Sequence, residues 1–151
     1  MNLAVEFGTL HGSSLAQNAV AIVLYFAVGV AIMGLGFVLV DVLTPGNLRK
    51  QVFQEHRPNA VAVAVGMHLA LAIVVASSIF ASSLGLAQGL VDTIVYGVIG
   101  VLLQVATLIV LEVAAPGRSR DLIKSPTLHP SAVAVAVTLF AVGIVNAAAI
   151  S

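Results

Sequence analysis

The sequence predicts an all-α integral membrane protein, with four transmembrane helices arranged as two two-helix repeats that insert in parallel orientation. Three observations lead there. Four apolar stretches are each long enough to cross a hydrocarbon layer of roughly 30 Å, which takes about 20 helical residues. All six Lys and Arg residues fall in two short connections, Arg49, Lys50 and Arg57 in the first and Arg118, Arg120 and Lys124 in the second. The two halves of the chain also carry the same motifs in the same order.

The elements follow in chain order. Residues 1–17 form an N-terminal tail expected outside the cytoplasm. Its start, Met1-Asn2-Leu3-Ala4-Val5-Glu6-Phe7, lacks a positive n-region, so the first apolar segment is expected to insert as itself rather than as a cleaved signal. The first span is expected over Asn18–Leu43 and stops at Thr44-Pro45-Gly46-Asn47. Pro cannot continue the helical hydrogen-bond ladder, and Gly accepts a left-handed cap. The second span is expected over Asn59–Ser83, completing a first repeat at 18–83. A short uncharged connection, 84–89, precedes the second repeat at 90–151. That repeat holds spans over Leu90–Ala114 and Ser131–Ile150, parted by Pro116-Gly117-Arg118-Ser119.

Two segments, Ala60–Val65 and Ala132–Val137, alternate Ala and Val strictly, a pattern that usually argues strand. Both members of each pair are apolar, so no polar face is defined. A lone hairpin in lipid would leave its edges unsatisfied, and a barrel needs at least about eight strands. Helix is the consistent reading.

Composition excludes much else. The chain of 151 residues is 60% hydrophobic and 8% charged, with a mean hydropathy of +1.15. A soluble domain carries about 25% charged residues. The net charge is zero, so no field argues for nucleic acid. There are no cysteines, which removes disulfides and thiolate chemistry. Trp is absent and Tyr occurs twice, so the interfacial aromatic belt is thin.

The repetition is specific. Asp41-Val42-Leu43-Thr44-Pro45-Gly46 matches Glu112-Val113-Ala114-Ala115-Pro116-Gly117, and Arg49 matches Arg120 in the same register. Pro58-Asn59-Ala60-Val61-Ala62-Val63-Ala64-Val65 matches Pro130-Ser131-Ala132-Val133-Ala134-Val135-Ala136-Val137 after a gain of one residue in the second loop. Two spans per copy is an even number, so the copies share an orientation about an axis along the membrane normal. The positive-inside bias then places both basic loops in the cytoplasm and both termini outside.

Helices in lipid associate by close packing, which small residues allow. The second span offers Ala62, Gly66 and Ala70 on one stripe, and the fourth offers Ala132 and Ala136. Gly29, Gly34 and Gly36 lie in the first span, and Gly97 and Gly100 in the third. The stripes suit packing between the second and fourth spans, or a contact between copies.

Five polar residues are candidates for a site or an ion path: Asp41, Glu112, His68, Gln104 and Asn146. Asp41 and Glu112 occupy the same repeat position, near a helix C-terminus whose dipole disfavours a carboxylate. Each acid either pairs with Arg49 or Arg120, or with the start of the next helix, or forms the mouth of a cation or proton relay. His68 falls near the middle of the second span, and its repeat counterpart is Phe140. It either carries a proton or is neutral and hydrogen-bonded, with Gln104, Thr107, Thr138 and Asn146 as polar neighbours to consider. Gln104 and Asn146 also suit interhelical hydrogen bonding. His11, His56 and His129 match no zinc spacing, and no cofactor motif occurs. Ser13, Ser14, Ser77, Ser78, Ser82 and Ser83 stand in no nucleophile elbow, so no catalytic residue is expected. Positive-inside retention accounts for the six cations, and contact with anionic lipid or a partner is a further role open to them.

The duplicated unit resembles the YjfL-like bacterial membrane proteins, a group with a domain of unknown function. The resemblance runs from about Asn18 to Ala149. It is carried by Asp41 with Pro45-Gly46, Pro58-Asn59-Ala60, Glu112 with Pro116-Gly117, and Pro130-Ser131-Ala132. Ser131 stands where the first copy has Asn59. The resemblance implies a small four-helix protein of the bacterial cytoplasmic (inner) membrane, and it carries over no activity.

The expected function is therefore that of a membrane protein without catalysis. It acts through helix packing, as an oligomer or as the accessory subunit of a membrane complex. Its expected partners are the lipid bilayer and either itself or another membrane protein, with no nucleic acid. The alternative is one subunit of an oligomeric channel or transporter for an ion or small solute, whose pore lies between chains.

Overall fold

The computed structural model describes residues 12–43, 47–82, 85–114 and 125–150. They form five helices: α1 (Gly12–Leu43), α2 (Leu48–Phe53), α3 (Pro58–Phe80), α4 (Leu86–Ala114) and α5 (Pro130–Ile150). Among the described residues there is no strand. All but α2 are long and apolar enough to cross a membrane. The two Ala/Val alternations lie wholly within α3 and α5.

The helices come in two lengths. The 29-residue apolar stretches of α1 and α4 rise about 44 Å at 1.5 Å per residue, whereas the 23 residues of α3 and 21 of α5 rise about 35 and 32 Å. Only the shorter pair matches the hydrocarbon thickness closely. Both short helices start on a proline, Pro58 and Pro130, whose fixed φ suits the first helical position and whose missing N–H would have had no partner there.

Some boundaries differ from the sequence reading. α1 begins at Gly12 rather than Asn18, since nothing between Ser13 and Asn18 breaks a helix. α3 stops at Phe80, before the polar Ser82-Ser83. α4 begins at Leu86, inside the connection expected at 84–89, and the Gly89 N–H donates to the Gly85 carbonyl at 2.7 Å. α2 was not expected at all.

Side-chain contacts fix the helix directions. Asn59 at the start of α3 bonds to Ser125, Thr127 and His129 just before α5, so α3 and α5 run parallel. Gly29 faces Val75 and Gly36 faces Leu71, so α1 and α3 are antiparallel. Gln104 reaches the Leu139 carbonyl and Asn146 reaches the Gly100 carbonyl, so α4 and α5 are antiparallel as well. α1 therefore runs parallel to α4.

The core follows α3, which packs most extensively against α5 and also against α4 and α1. Ala60, Met67, Ala70, Leu71 and Val74 are buried along it, with Leu139 of α5 and Val101 of α4 against them. The α3–α5 contact is backbone to backbone. A Cβ added at Gly66 would lie 2.7 Å from the Ala136 Cα, and one added at Gly143 would lie 2.6 Å from the Ala70 Cα. The small-residue stripe of α3 is thus used within the chain. Gly143 and Ala147 prolong the matching stripe on α5.

Candidate functional site

The segment between α1 and α3 is built around α2. Its N-cap, Asn47, has φ 62°, a left-handed conformation that asparagine tolerates, and its side chain accepts from the Lys50 N–H at 3.2 Å. The Asp41 carboxylate accepts from the Arg49 N–H at 2.8 Å. Asp41 thus stands at the unfavourable end of α1 and the favourable end of α2, whose free N–H groups compensate it. Leu48 and Gln51, one turn apart, are buried, while Arg49, Lys50 and Phe53 are exposed. The Arg57 N–H folds back to the Gln51 carbonyl at 2.9 Å, with His56 in the left-handed region at φ 49°. Glu55 lies 2.6 Å from Arg57 and 3.6 Å from Lys50. The Arg57 hydrogen bond, foremost, holds the Glu55 carboxyl below the usual carboxylate range.

Beneath α2 lies an open apolar groove of about 270 Å³, lined by Phe37 of α1, Val52 and Phe53 of α2, and Val61, Ala64, Val65, His68 and Leu69 of α3. The Phe37 ring lies 5.3 Å from the His68 ring and 6.3 Å from that of Phe53. His68 is half-buried, and its Nδ1 lies 2.7 Å from the Ala64 carbonyl one turn back. A carbonyl only accepts, so Nδ1 carries a proton and donates to it.

The polar neighbours considered for His68 are engaged elsewhere. Gln104 donates to the Leu139 carbonyl at 2.7 Å and Asn146 to the Gly100 carbonyl at 3.2 Å. Thr107 and Thr138 donate to their own helices, at Leu103 and Ala134. The reason is rotational: α3 turns His68 toward α1 and α2, and turns Gly66 and Ala70 toward α5. Gln104 and Asn146 are buried between α4 and α5, and the Gln104 Oε1 has no partner there. The five candidates therefore do not converge. Asp41 caps α2, His68 lines the groove, Gln104 and Asn146 tie α4 to α5, and Glu112 is half-buried near the end of α4.

Several expectations fall outside the described residues: Arg118, Arg120, Lys124, His11, Pro45-Gly46 and Pro116-Gly117. Among the described residues no group of three metal-ligating side chains occurs.

Other contacts were not foreseen. Asn59 is fully buried. Its Nδ2 donates to the Thr127 and Ser125 carbonyls at 2.9 and 3.3 Å, and its Oδ1 accepts from the His129 N–H at 2.7 Å. Ser131, its repeat counterpart, instead bonds to the His129 ring at 2.6 Å. At the other end of the bundle Tyr25 bonds to Ser82 at 3.3 Å, and Gln88 donates to Asp92 at 2.7 Å. Asn59 followed a proline at a predicted helix start, which was the one available signal of a capping role.

Comparison with known proteins places the chain. The model of a family described as Domain of Unknown Function (DUF350) matches residues 14–150. The UPF0719 transmembrane proteins Mb2631 of Mycobacterium bovis and MT2674.1 of Mycobacterium tuberculosis are each 52% identical over 147 residues, 97% of this chain and 97% of theirs. A UPF0719 transmembrane protein of Mycolicibacterium paratuberculosis is 48% identical over 151 residues, 100% of both chains. No solved structure matches. With four apolar helices and relatives alike along nearly their whole length, the chain belongs to the DUF350 family and is a transmembrane protein of unknown function.

Proposed function

We propose that this protein acts without catalysis through the lipid-facing surfaces of its helices, as an oligomer or as the accessory subunit of a larger membrane complex. The observation that carries the reading is the exposure of α1. Within its most apolar 18-residue window 17% of residues are buried, against 50% in α3. Ala27, Ala31 and Gly34 lie on that exposed surface, and a Cβ added at Gly34 meets nothing within 4 Å. Small residues in a membrane helix allow close approach of another helix, and among the described residues no helix takes that place.

The reading includes a place and an orientation. The protein sits in the bacterial inner membrane, with the α2 connection and the 115–124 connection in the cytoplasm and both termini outside. The clustering of all six cations supports this. The reading also includes a duplicated two-helix unit, 18–83 and 90–151, of the YjfL-like kind. The parallel α3 and α5, each opened by a proline, support it.

Mass measurement of the full chain in lipid nanodiscs tests the packing role. The expected result is more than one chain per particle, or a stoichiometric partner after purification, with Gly34→Leu reducing the association. A lone monomer with no partner, unchanged by Gly34→Leu, overturns it. The alternative, a channel or transporter subunit, has His68 and Asp41 as its supporting observation, since the His68 ring faces Phe37 of α1 and Asp41 stands one turn beyond Phe37 on that helix. It predicts ion or solute flux through liposomes that changes in His68→Ala or Asp41→Asn.

A further inference from the structure

We infer that the groove beneath α2 is a binding site for an anionic membrane phospholipid, with an acyl chain along the groove and the phosphate against Arg49 and Lys50. The inference does not depend on the oligomer reading. The groove runs from Leu69 and His68 to Val61 and Phe53. Eight residues of α3 separate Val61 from Leu69, a rise of about 12 Å, so the groove follows the direction in which lipid chains lie. Helices α1, α2 and α3 wall it, while Val65, Leu69 and Phe53 leave it open to the surrounding lipid, being 51%, 51% and 66% exposed. An ordinary lipid-facing helix surface has no such roof.

The roof supplies the charge. On α2, Val52 and Phe53 line the groove, and Arg49 stands three and four positions before them, on the same side of the helix. Lys50 stands three before Phe53 and is exposed. Against these cations stand two carboxylates. Asp41 is engaged by the Arg49 N–H, and Glu55 is shared between Arg57 and Lys50. Arg49, Lys50 and Arg57 outnumber Asp41 and Glu55, and the Arg49 guanidinium makes no ion pair with a described residue. Among the described residues the mouth is thus net positive where a phospholipid phosphate would lie, above an apolar slot that would take its tail.

The test uses the full chain in phosphatidylcholine nanodiscs carrying a trace of photoactivatable lipid, with a diazirine on the acyl chain of either phosphatidylglycerol or phosphatidylcholine. Labelled peptides are located by mass spectrometry. The expected result is phosphatidylglycerol label concentrated on 61–69, exceeding phosphatidylcholine label by about fivefold, the factor one surface cation supplies. Val65→Trp, which fills the slot from an exposed position, abolishes that label. Arg49→Gln with Lys50→Gln lowers it to the phosphatidylcholine level. These two positions are exposed, so their variant reads the charge even where Val65→Trp fails to fold. Equal labelling by both lipids, label spread evenly over the outer surfaces of α1 and α5, or a disulfide between two copies of a Val65→Cys variant each overturn the proposal, the last by showing a second copy in the groove.

Discussion

Asn59 gives both ends of its amide to the segment that leads into α5, through three hydrogen bonds. Truncation to alanine strands backbone groups around a buried position, each costing about 1–3 kcal/mol. Asn59→Ala is expected to lower unfolding stability by about 3 kcal/mol, measured by denaturant titration in mixed micelles. A loss within error would show the clamp to be incidental. Glu55 offers a pH test at the same scale. Its folded carboxyl lies below its ordinary value of 4.5, so its contribution is present above that value and is lost as pH falls through the lower folded one. Glu55→Gln should remove the acid-side change in the α2–α3 turn, followed by amide exchange at Arg57, and should change nothing at neutral pH that salt does not change as well. Sequence made Asp41 conspicuous because a carboxylate at a helix C-terminus needs compensation. It offered pairing with a cation, pairing with the next helix, or the mouth of a cation or proton relay as alternatives, and in the structure the carboxylate accepts from the Arg49 N–H. It named polar neighbours for His68 from depth alone. Depth does not determine which way a side chain points around a helix, and His68 turned to Ala64 and Phe37 instead.

Helix pairing separates glycines that look alike in sequence. Gly66 and Gly143 meet backbone atoms of the facing helix, which cannot yield, whereas Gly97 meets the Cδ1 end of Ile32, which can rotate away. Gly66→Ala and Gly143→Ala are therefore expected to cost about 1–3 kcal/mol each by forcing α3 and α5 apart, and Gly97→Ala less than either. Equal losses at all three in the same unfolding assay would show that the α3–α5 contact is not the tighter one. The four long helices were legible because about 20 apolar residues in succession admit few other structures. Their ends were less so, since the polar residues of 13–18 and 86–89 are compatible with helix outside the hydrocarbon layer. α2 escaped detection because six residues, two of them cationic, carry too short a pattern for any periodicity. The stop signal of the preceding span, Pro45-Gly46, and the N-cap residue of α2, Asn47, were both visible.

Across the whole molecule, the segregation of charge and the repeated motifs make one consistent picture. Both short helices begin at the same end of the bundle, the end that carries α2, and both long helices end there. The apolar outer surfaces of α1 and α5, with Val23, Phe26, Val133 and Val145 exposed, suit lipid and not water. A shared orientation of the two halves was expected from the copied motifs; the pairing of two long with two short helices was not readable from them. The identity of whatever meets α1 was not, because lipid and a neighbouring helix select the same apolar residues on an exposed surface.

The most direct test of the four-span arrangement is single-cysteine labelling in intact bacteria with a membrane-impermeant maleimide, which the natural absence of cysteine makes clean. The account predicts that Gln88→Cys, and a cysteine placed beside Ser151, label from outside, while Asn47→Cys labels only after the cells are opened. Labelling of all three from the same side would contradict it.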